Sequence, residues 1–301
     1  MAAIGRVQPK FDVYQAITDK VIAQLEQGNV GKWEMPWHRN SDMPKNLRGT
    51  YYRGVNVPVL WFAAAEKGYD SPVWGTYNQW KEKGAQVRKG EHSTMVVLWK
   101  PFVLEPAKRK DQNDDGKRLM ARAFYVFNQA QVDGYEPPAN GPEPLPEADR
   151  VALAEAFFTE LGADVAHGGE RACYIPATDQ IKMPAFSKFK SAEGYYATLG
   201  HEHVHWTGAE KRLDRPLMNR FGSDAYAFEE LIAEFGSAFL CGWLGLANEP
   251  RPDHAQYLQG WLNCLKGDKR ALFTAASKAQ AAVDFLTKKN GQEVVEEPTG
   301  K

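Results

Sequence analysis

Cysteine is scarce in this chain: Cys173, Cys241 and Cys264 are the only three among 301 residues, and none stands in a C-x-x-C arrangement. That spacing excludes a disulfide framework and a thiolate-rich zinc site, leaving buried free thiols as the expectation. Long apolar runs are lacking as well, since none approaches the roughly 20 residues that a membrane span requires. The N-terminal MAAIGRVQPKFDVYQ has no basic stretch followed by an apolar run, so a secretory signal is not expected and a cytoplasmic location is. No internal repeat is visible.

Net charge is nearly absent too, at -1, yet it is unevenly divided. Residues 1–135 hold 20 Lys+Arg against 14 Asp+Glu, and residues 136–301 hold 17 against 24. A basic half followed by an acidic one directs any polyanionic partner to the first. Between them, EPPANGPEPLPE at 136–147 concentrates proline, glycine and acid without apolar periodicity. It reads as a linker, which divides the chain into domains at 1–135 and 148–290 with a disordered tail at 291–301.

Periodicity supplies the elements. Val13, Ile17, Val21 and Leu25 at four-residue steps predict an opening helix over 11–27. Shorter helices are expected at 57–65 and 76–84. Strands are expected at 94–102 (TMVVLWKPF) and 121–127 (ARAFYVF), with a solvated loop KRKDQNDDGKR between them. This first half is therefore mixed α+β. The second half reads as mostly helical, over 147–161, 191–206, 225–244, 254–265 and 272–288, with one short hairpin at 172–183.

Residues 201–205 read His-Glu-His-Val-His and contain H-E-x-x-H on an expected helix. Positions i and i+4 share a helix face, so the imidazoles of His201 and His205 can converge on one cation. Glu202 lies at the neighbouring edge, placed to act as a base. A zinc ion there makes water acidic enough for it to attack a carbonyl near neutral pH. His203 faces the other way and is expected to pack or to support the site from behind. A catalytic zinc needs a third protein ligand, and Glu229, Glu230 and Glu234 offer one on the next helix. One of these carboxylates can bind the ion while another fixes the tautomer of a ligand histidine. Tyr195, Tyr196 and Tyr226 are candidates to stabilise a developing oxyanion, with core packing as the alternative role for each.

The first half carries six of the nine tryptophans, Trp33, Trp37, Trp61, Trp74, Trp80 and Trp99. Aromatic platforms beside a basic groove suit single-stranded nucleic acid, whereas a tryptophan-rich core needs no partner. Two segments favour a nucleic-acid surface: Lys45 to Asn56, with cations and tyrosines around two glycines, and Thr76 to Trp80 leading on to Arg88 and Lys89. Lys45, Arg48, Arg53, Arg88 and Lys89 are the candidates for phosphates, and Tyr51, Tyr77 and Trp80 for stacking.

Glu230-Leu231-Ile232-Ala233-Glu234 resembles the E-x-x-A-D or E-x-x-A-N pattern of zincins whose third ligand is a glutamate. That resemblance implies Glu230 as ligand and Glu234 as the residue behind it, with Glu in place of the final Asp or Asn. The longer segment Tyr195 to Gly208, the pair Arg212-Leu213, the two basic segments above and Phe127 to Gly134 together resemble the ArdC antirestriction family. The resemblance implies an α+β protein with an N-terminal single-stranded-DNA-binding domain, shared with TraC-type primases, and a C-terminal zincin-like metallopeptidase domain. It further implies one Zn2+ ion, or Mn2+ or another divalent ion in its place, and protection of incoming plasmid DNA from restriction. A restriction component would then be a candidate protein substrate.

Overall fold

The computed structural model describes residues 11–27, 42–105, 115–136, 146–217, 222–247 and 254–289. The expected linker falls largely outside these residues, as do the tail, Trp33 and Trp37. The first half contains helices α1 (Val13–Gln27), α2 (Asn56–Lys67) and α3 (Tyr77–Glu82). Its strands are β1 (Lys45–Asn46), β2 (Val73–Gly75), β3 (Gln86–Val87), β4 (Thr94–Val103), β5 (Lys117–Asn128) and β6 (Val132–Asp133). The second half adds α4 (Glu147–Glu160), α5 (Ala192–Thr207), α6 (Asp224–Leu244), α7 (His254–Gly267) and α8 (Ala271–Lys289). Its strands are β7 (Asp164–His167), β8 (Cys173–Ile175) and β9 (Gln180–Met183). The α+β class is as the sequence implies, and the long elements fall where periodicity places them.

The main sheet runs β1-β2-β5-β4, with β1 parallel to β2 and the other pairs antiparallel. β4 and β5 form a long two-stranded ribbon in ten-residue register, of which only Phe127 and Asn128 pair with β2. The side chain of Asn56, at the start of α2, bonds both the N–H and the C=O of Val97 and so closes the β4 edge there. In the second half, β7 pairs parallel with β9, which also forms the expected hairpin with β8. β7 was not foreseen, because Asp164-Val165-Ala166-His167 has too little apolar alternation to stand out. The segment expected to be a solvated loop is also shortened, since β5 already begins at Lys117.

Local chemistry sets the helix ends near the site. Ser191 Oγ accepts from the Gly194 N–H at 3.0 Å and starts α5; the Gly208 N–H closes it on the His205 carbonyl. Ser223 Oγ does the same for Tyr226 at the start of α6, and Gly245 ends that helix in the left-handed conformation (φ 71°). α6 is buried along almost its whole length, from Glu229 to Cys241. It forms the axis around which α5, α7 and α8 pack.

One apolar core runs through both halves. Trp61 of α2 lies 5.9 Å from Phe239 of α6, and Tyr14 and Trp99 both pack on Phe273 of α8. Polar contacts follow the same seam: Arg53 pairs with Asp284, the Gly54 N–H donates to Gln280 Oε1, and Thr18 Oγ1 donates to the Lys269 carbonyl. The three cysteines are free. Cys241 is buried and Cys264 half-buried, but Cys173 is exposed, contrary to expectation, because β8 is an edge strand.

The tightest helix contact is at Gly236 of α6. A Cβ there would stand 2.6 Å from Val204 Cγ2 and 2.9 Å from Cγ1. Helix propensity favours Gly236→Ala by about 1 kcal/mol, but a short branched valine cannot swing aside, and overpacking costs about 1–3 kcal/mol. The expected outcome is net destabilisation, read as a lower thermal midpoint; an unchanged or raised midpoint would show that the crossing is looser than described.

Candidate functional site

His201, His205 and Glu230 meet between α5 and α6. The two Nε2 atoms are 3.1 Å apart, and Glu230 offers Oε2 to His201 at 3.4 Å and Oε1 to His205 at 3.6 Å. Ligands about 2.0–2.2 Å from a tetrahedral ion stand roughly 3.3–3.6 Å from one another, so these three donors fit one divalent cation. Of the three carboxylates left open by the sequence, Glu230 is the one that faces both Nε2 atoms.

Glu229 reaches the opposite side of His205. His205 Nδ1 stands 3.3 Å from Glu229 Oε1, which directs Nε2 toward the ion position when Nδ1 carries the proton. Glu229 is itself held by Arg215, whose Nε lies 3.2 Å from both carboxylate oxygens. Arg215 also donates to Thr207 Oγ1 at 2.9 Å and to the Val204 carbonyl at 2.6 Å, which ties the chain after α5 to α6. Arg215 was not singled out in the sequence, where nothing distinguishes a buried arginine from a solvated one. Glu234 Oε2 lies 3.8 Å from His201 Nδ1, behind the other ligand.

Electrostatics independently call for a cation. Glu202, Glu229, Glu230 and Glu234 are all buried, whereas Arg215 is the one buried Lys or Arg among the described residues. Gathering this much negative charge in a buried site is costly, and a dication offsets the excess. Burial works against the charged form of His205, but its hydrogen bonds with Glu229 and Glu230 outweigh that and raise it to about 10. Burial likewise pushes the Glu230 carboxyl up, but the histidine partners outweigh that and hold it far below the usual carboxylate range. His203 differs. Burial drives it down to about 4 despite the Nδ1 bond to the Leu199 carbonyl, and its ring packs against Phe158. It is a packing residue.

The triad opens on a cleft of about 170 Å³ lined by Glu202, Tyr226, Tyr257, Cys173 and Leu217, among others. Glu202 thus shares the cleft with the donors. Tyr226 is the one of the three candidate tyrosines that lines it; its hydroxyl lies 3.4 Å from that of Tyr257. Tyr195 bonds His167 and Tyr196 bonds Glu155, so both are used elsewhere.

The expected nucleic-acid residues are not gathered in one place. Trp80 is fully buried, with Nε1 donating to the Phe127 carbonyl and its ring edge-on to Tyr135, so it has no face to offer a base. This corrects its assignment to stacking; Trp61 and Trp74 are buried as well. Arg53 pairs with Asp284, and Arg88 with Glu91, Asp133 and the Ala130 carbonyl, so each already has protein partners. Tyr51 and Tyr77 are exposed, as are Arg48 and Lys89, and Lys45 is half-buried in β1 beside the 45–51 turn.

Three outcomes follow for the candidate metal site. A dication must displace the proton that His205 holds up to about pH 10, so binding at neutral pH should release about one proton and strengthen about tenfold per pH unit. Calorimetry in buffers of different ionisation enthalpy reads this; buffer-independent heats would contradict it. In the ion-free protein the raised His205 stabilises the fold fully below its unfolded value of 6.5, and that contribution fades as the pH climbs through about 10. Glu229→Gln removes the anionic partner of His205 and should weaken metal affinity by about tenfold or more, measured by chelator competition.

Residues 152–278 match the zincin-like metallopeptidase family, and residues 11–127 match the N-terminal domain of the anti-restriction factor ArdC. The protein y4eC of Sinorhizobium fredii, itself uncharacterised, is 47% identical over 287 residues, covering 93% of this chain and 92% of that one. DNA primase TraC of Escherichia coli is 36% identical over 310 residues, but the chain spans only 28% of that primase. Crystal structures of the antirestriction ArdC protein from plasmid R388, metal-free and Mn(II)-bound, superpose with a TM-score of 0.74 at 42% identity, covering 93% of this chain and 98% of theirs. The chain therefore belongs to the ArdC antirestriction family.

Proposed function

We propose that this chain binds single-stranded DNA through its basic first half, carries a metal-dependent peptidase centre in its second, and protects incoming plasmid DNA from restriction. The observation that carries the catalytic part is the convergence of His201, His205 and Glu230 beside Glu202 in one cleft. His201, His205 and Glu230 would hold the ion, with Glu229 and Glu234 behind the two imidazoles. Zn2+ is the ion of our reading; Mn2+ suits the same imidazole and carboxylate donors, and the R388 relative has been crystallised with Mn(II). When bound, the ion acidifies water and polarises a carbonyl. Glu202 takes the proton of the attacking water and returns it to the leaving amine. Tyr226, at the rim, donates to the carbonyl oxygen as its charge grows. A peptide of a restriction component is the candidate substrate.

For DNA, Lys45, Arg48 and Lys89 are the phosphate contacts of this reading, with Tyr51 and Tyr77 as stacking rings. The support is the exposure of Arg48, Lys89, Tyr51 and Tyr77, the position of half-buried Lys45 beside them, and the excess of basic residues in 1–135. A second reading, in which antirestriction comes from covering DNA alone, draws on the same basic half and leaves the metal a structural role.

Glu202→Gln separates the two. Metal content should be unchanged while cleavage falls by about 10²–10⁴-fold, the usual contribution of a general base. Wild-type cleavage in that variant would overturn the peptidase assignment, and intact antirestriction in a conjugation assay would favour the second reading. DNA binding by the full chain should weaken steeply with salt, with a log–log slope of about -0.7 per phosphate contact. Affinity independent of salt would contradict phosphate recognition.

A further inference from the structure

The β4–β5 ribbon carries a surface that neither half's expected site residues include. Its two faces differ. One face, with Val97, Trp99, Ala121 and Ala123, turns inward along its middle, where Val97 is buried, both alanines pack on the core and Trp99, though 37% exposed, lies against Tyr14 of α1 and Phe273 of α8; Leu119 and Tyr125 on that face are exposed, and Val96 on the other face is buried. The register places Phe124, Arg122, Lys100, Met120, Phe102 and Arg118 together on the other face. Phe102, Met120 and Phe124 are 40%, 41% and 38% exposed. Two rings, Phe124 and Phe102, thus bracket Arg122 and Lys100 along a fully paired platform, with Arg118 directly opposite Phe102. The six positions separating Phe102 from Val96, the partner of Phe124, amount to about 20 Å of strand.

Charge selects the occupant. Neither strand contains a single carboxylate, while together they hold Lys100, Lys117, Arg118 and Arg122. Among the described residues, no ion-pair partner is recorded for Lys100 or Arg122. An apolar protein surface laid here would have to desolvate Lys100 and Arg122 without compensation. A phosphate backbone supplies that compensation, and unstacked bases supply faces for the two phenyl rings.

Resting on the reading that this chain binds single-stranded DNA, we propose that the strand lies along this outer face, with bases stacked on Phe102 and Phe124 and phosphates on Lys100, Arg118 and Arg122. The ribbon, rather than any tryptophan, is then the stacking platform. Both rings are already outside the core, so their truncation spares the fold.

The test is fluorescence anisotropy of a labelled oligothymidylate and of a matching duplex, titrated with the full chain. Phe102→Ala with Phe124→Ala should weaken single-strand binding at least tenfold while leaving weak duplex binding within about twofold, since paired bases cannot stack on a ring. Lys100→Glu with Arg122→Glu should weaken both and flatten the salt slope. Iododeoxyuridine photo-crosslinking of the wild-type chain, which needs no variant to fold, should attach DNA to peptides containing Phe102 or Phe124. Wild-type binding with both variants unaffected and crosslinks elsewhere overturns the ribbon while the DNA-binding reading stands. Absence of any wild-type binding at low salt overturns that reading itself. Variants that change only sedimentation, with DNA affinity intact, would make the face a self-association surface and overturn the inference as well.

Discussion

The candidate metal site depends on how closely α5 and α6 approach each other at Val204 and Gly236. Val204 lies one residue before His205 and three after His201, so its position sets that of both rings. With no side chain at Gly236, the two backbones come close enough for Glu230, six residues earlier on α6, to face both Nε2 atoms. Ser237 Oγ, donating to the Ala197 carbonyl at 2.7 Å, pins the same crossing about two turns back along α5. Shifting these helices apart by even an ångström would separate donors that stand only 3.1–3.6 Å apart.

Charge completes what packing begins. Around the site Glu202, Glu229, Glu230 and Glu234 are buried against a single buried arginine, an excess of negative charge that a dication would offset. Arg215 satisfies Glu229, which then serves His205 rather than the ion. Because the same guanidinium also grips Val204 and Thr207, the C-terminal end of α5 cannot drift from α6. The site is thus held from two directions, by a steric contact in its middle and by an ion pair at its end.

Much of this was legible in the sequence, for identifiable reasons. Apolar periodicity, which depends on local sequence alone, placed α5 and α6 to within a residue or two, and Ser191, Gly208, Ser223 and Gly245 bound them in the structure. The i, i+4 spacing of His201 and His205 is equally local. The choice among Glu229, Glu230 and Glu234 was not local, because neighbouring positions lie about 100 degrees apart on a helix and only the angle of crossing decides which one faces the histidines. Trp80 misled for a related reason: an aromatic beside polar residues reads as surface until the strands that enclose it are known. Arg53 was read as a phosphate contact, yet its partner, Asp284, is more than two hundred residues away. The ribbon was legible as two strands, but which of its faces turns outward depends on where α1 and α8 pack.

The seam between the halves has a consequence for function. α8 touches the first half through Phe273, Gln280 and Asp284 and also packs on α5 and α6, so the sheet proposed to face DNA and the helices of the candidate metal site belong to one continuous core. The most direct measurement of the central claim is anomalous diffraction from crystals of this chain grown with a divalent cation. The account predicts one peak within about 2.0–2.2 Å of His201 Nε2, His205 Nε2 and a Glu230 oxygen. A peak coordinated instead by Glu229 or Glu234, or none between the two imidazoles at saturating metal, would contradict it.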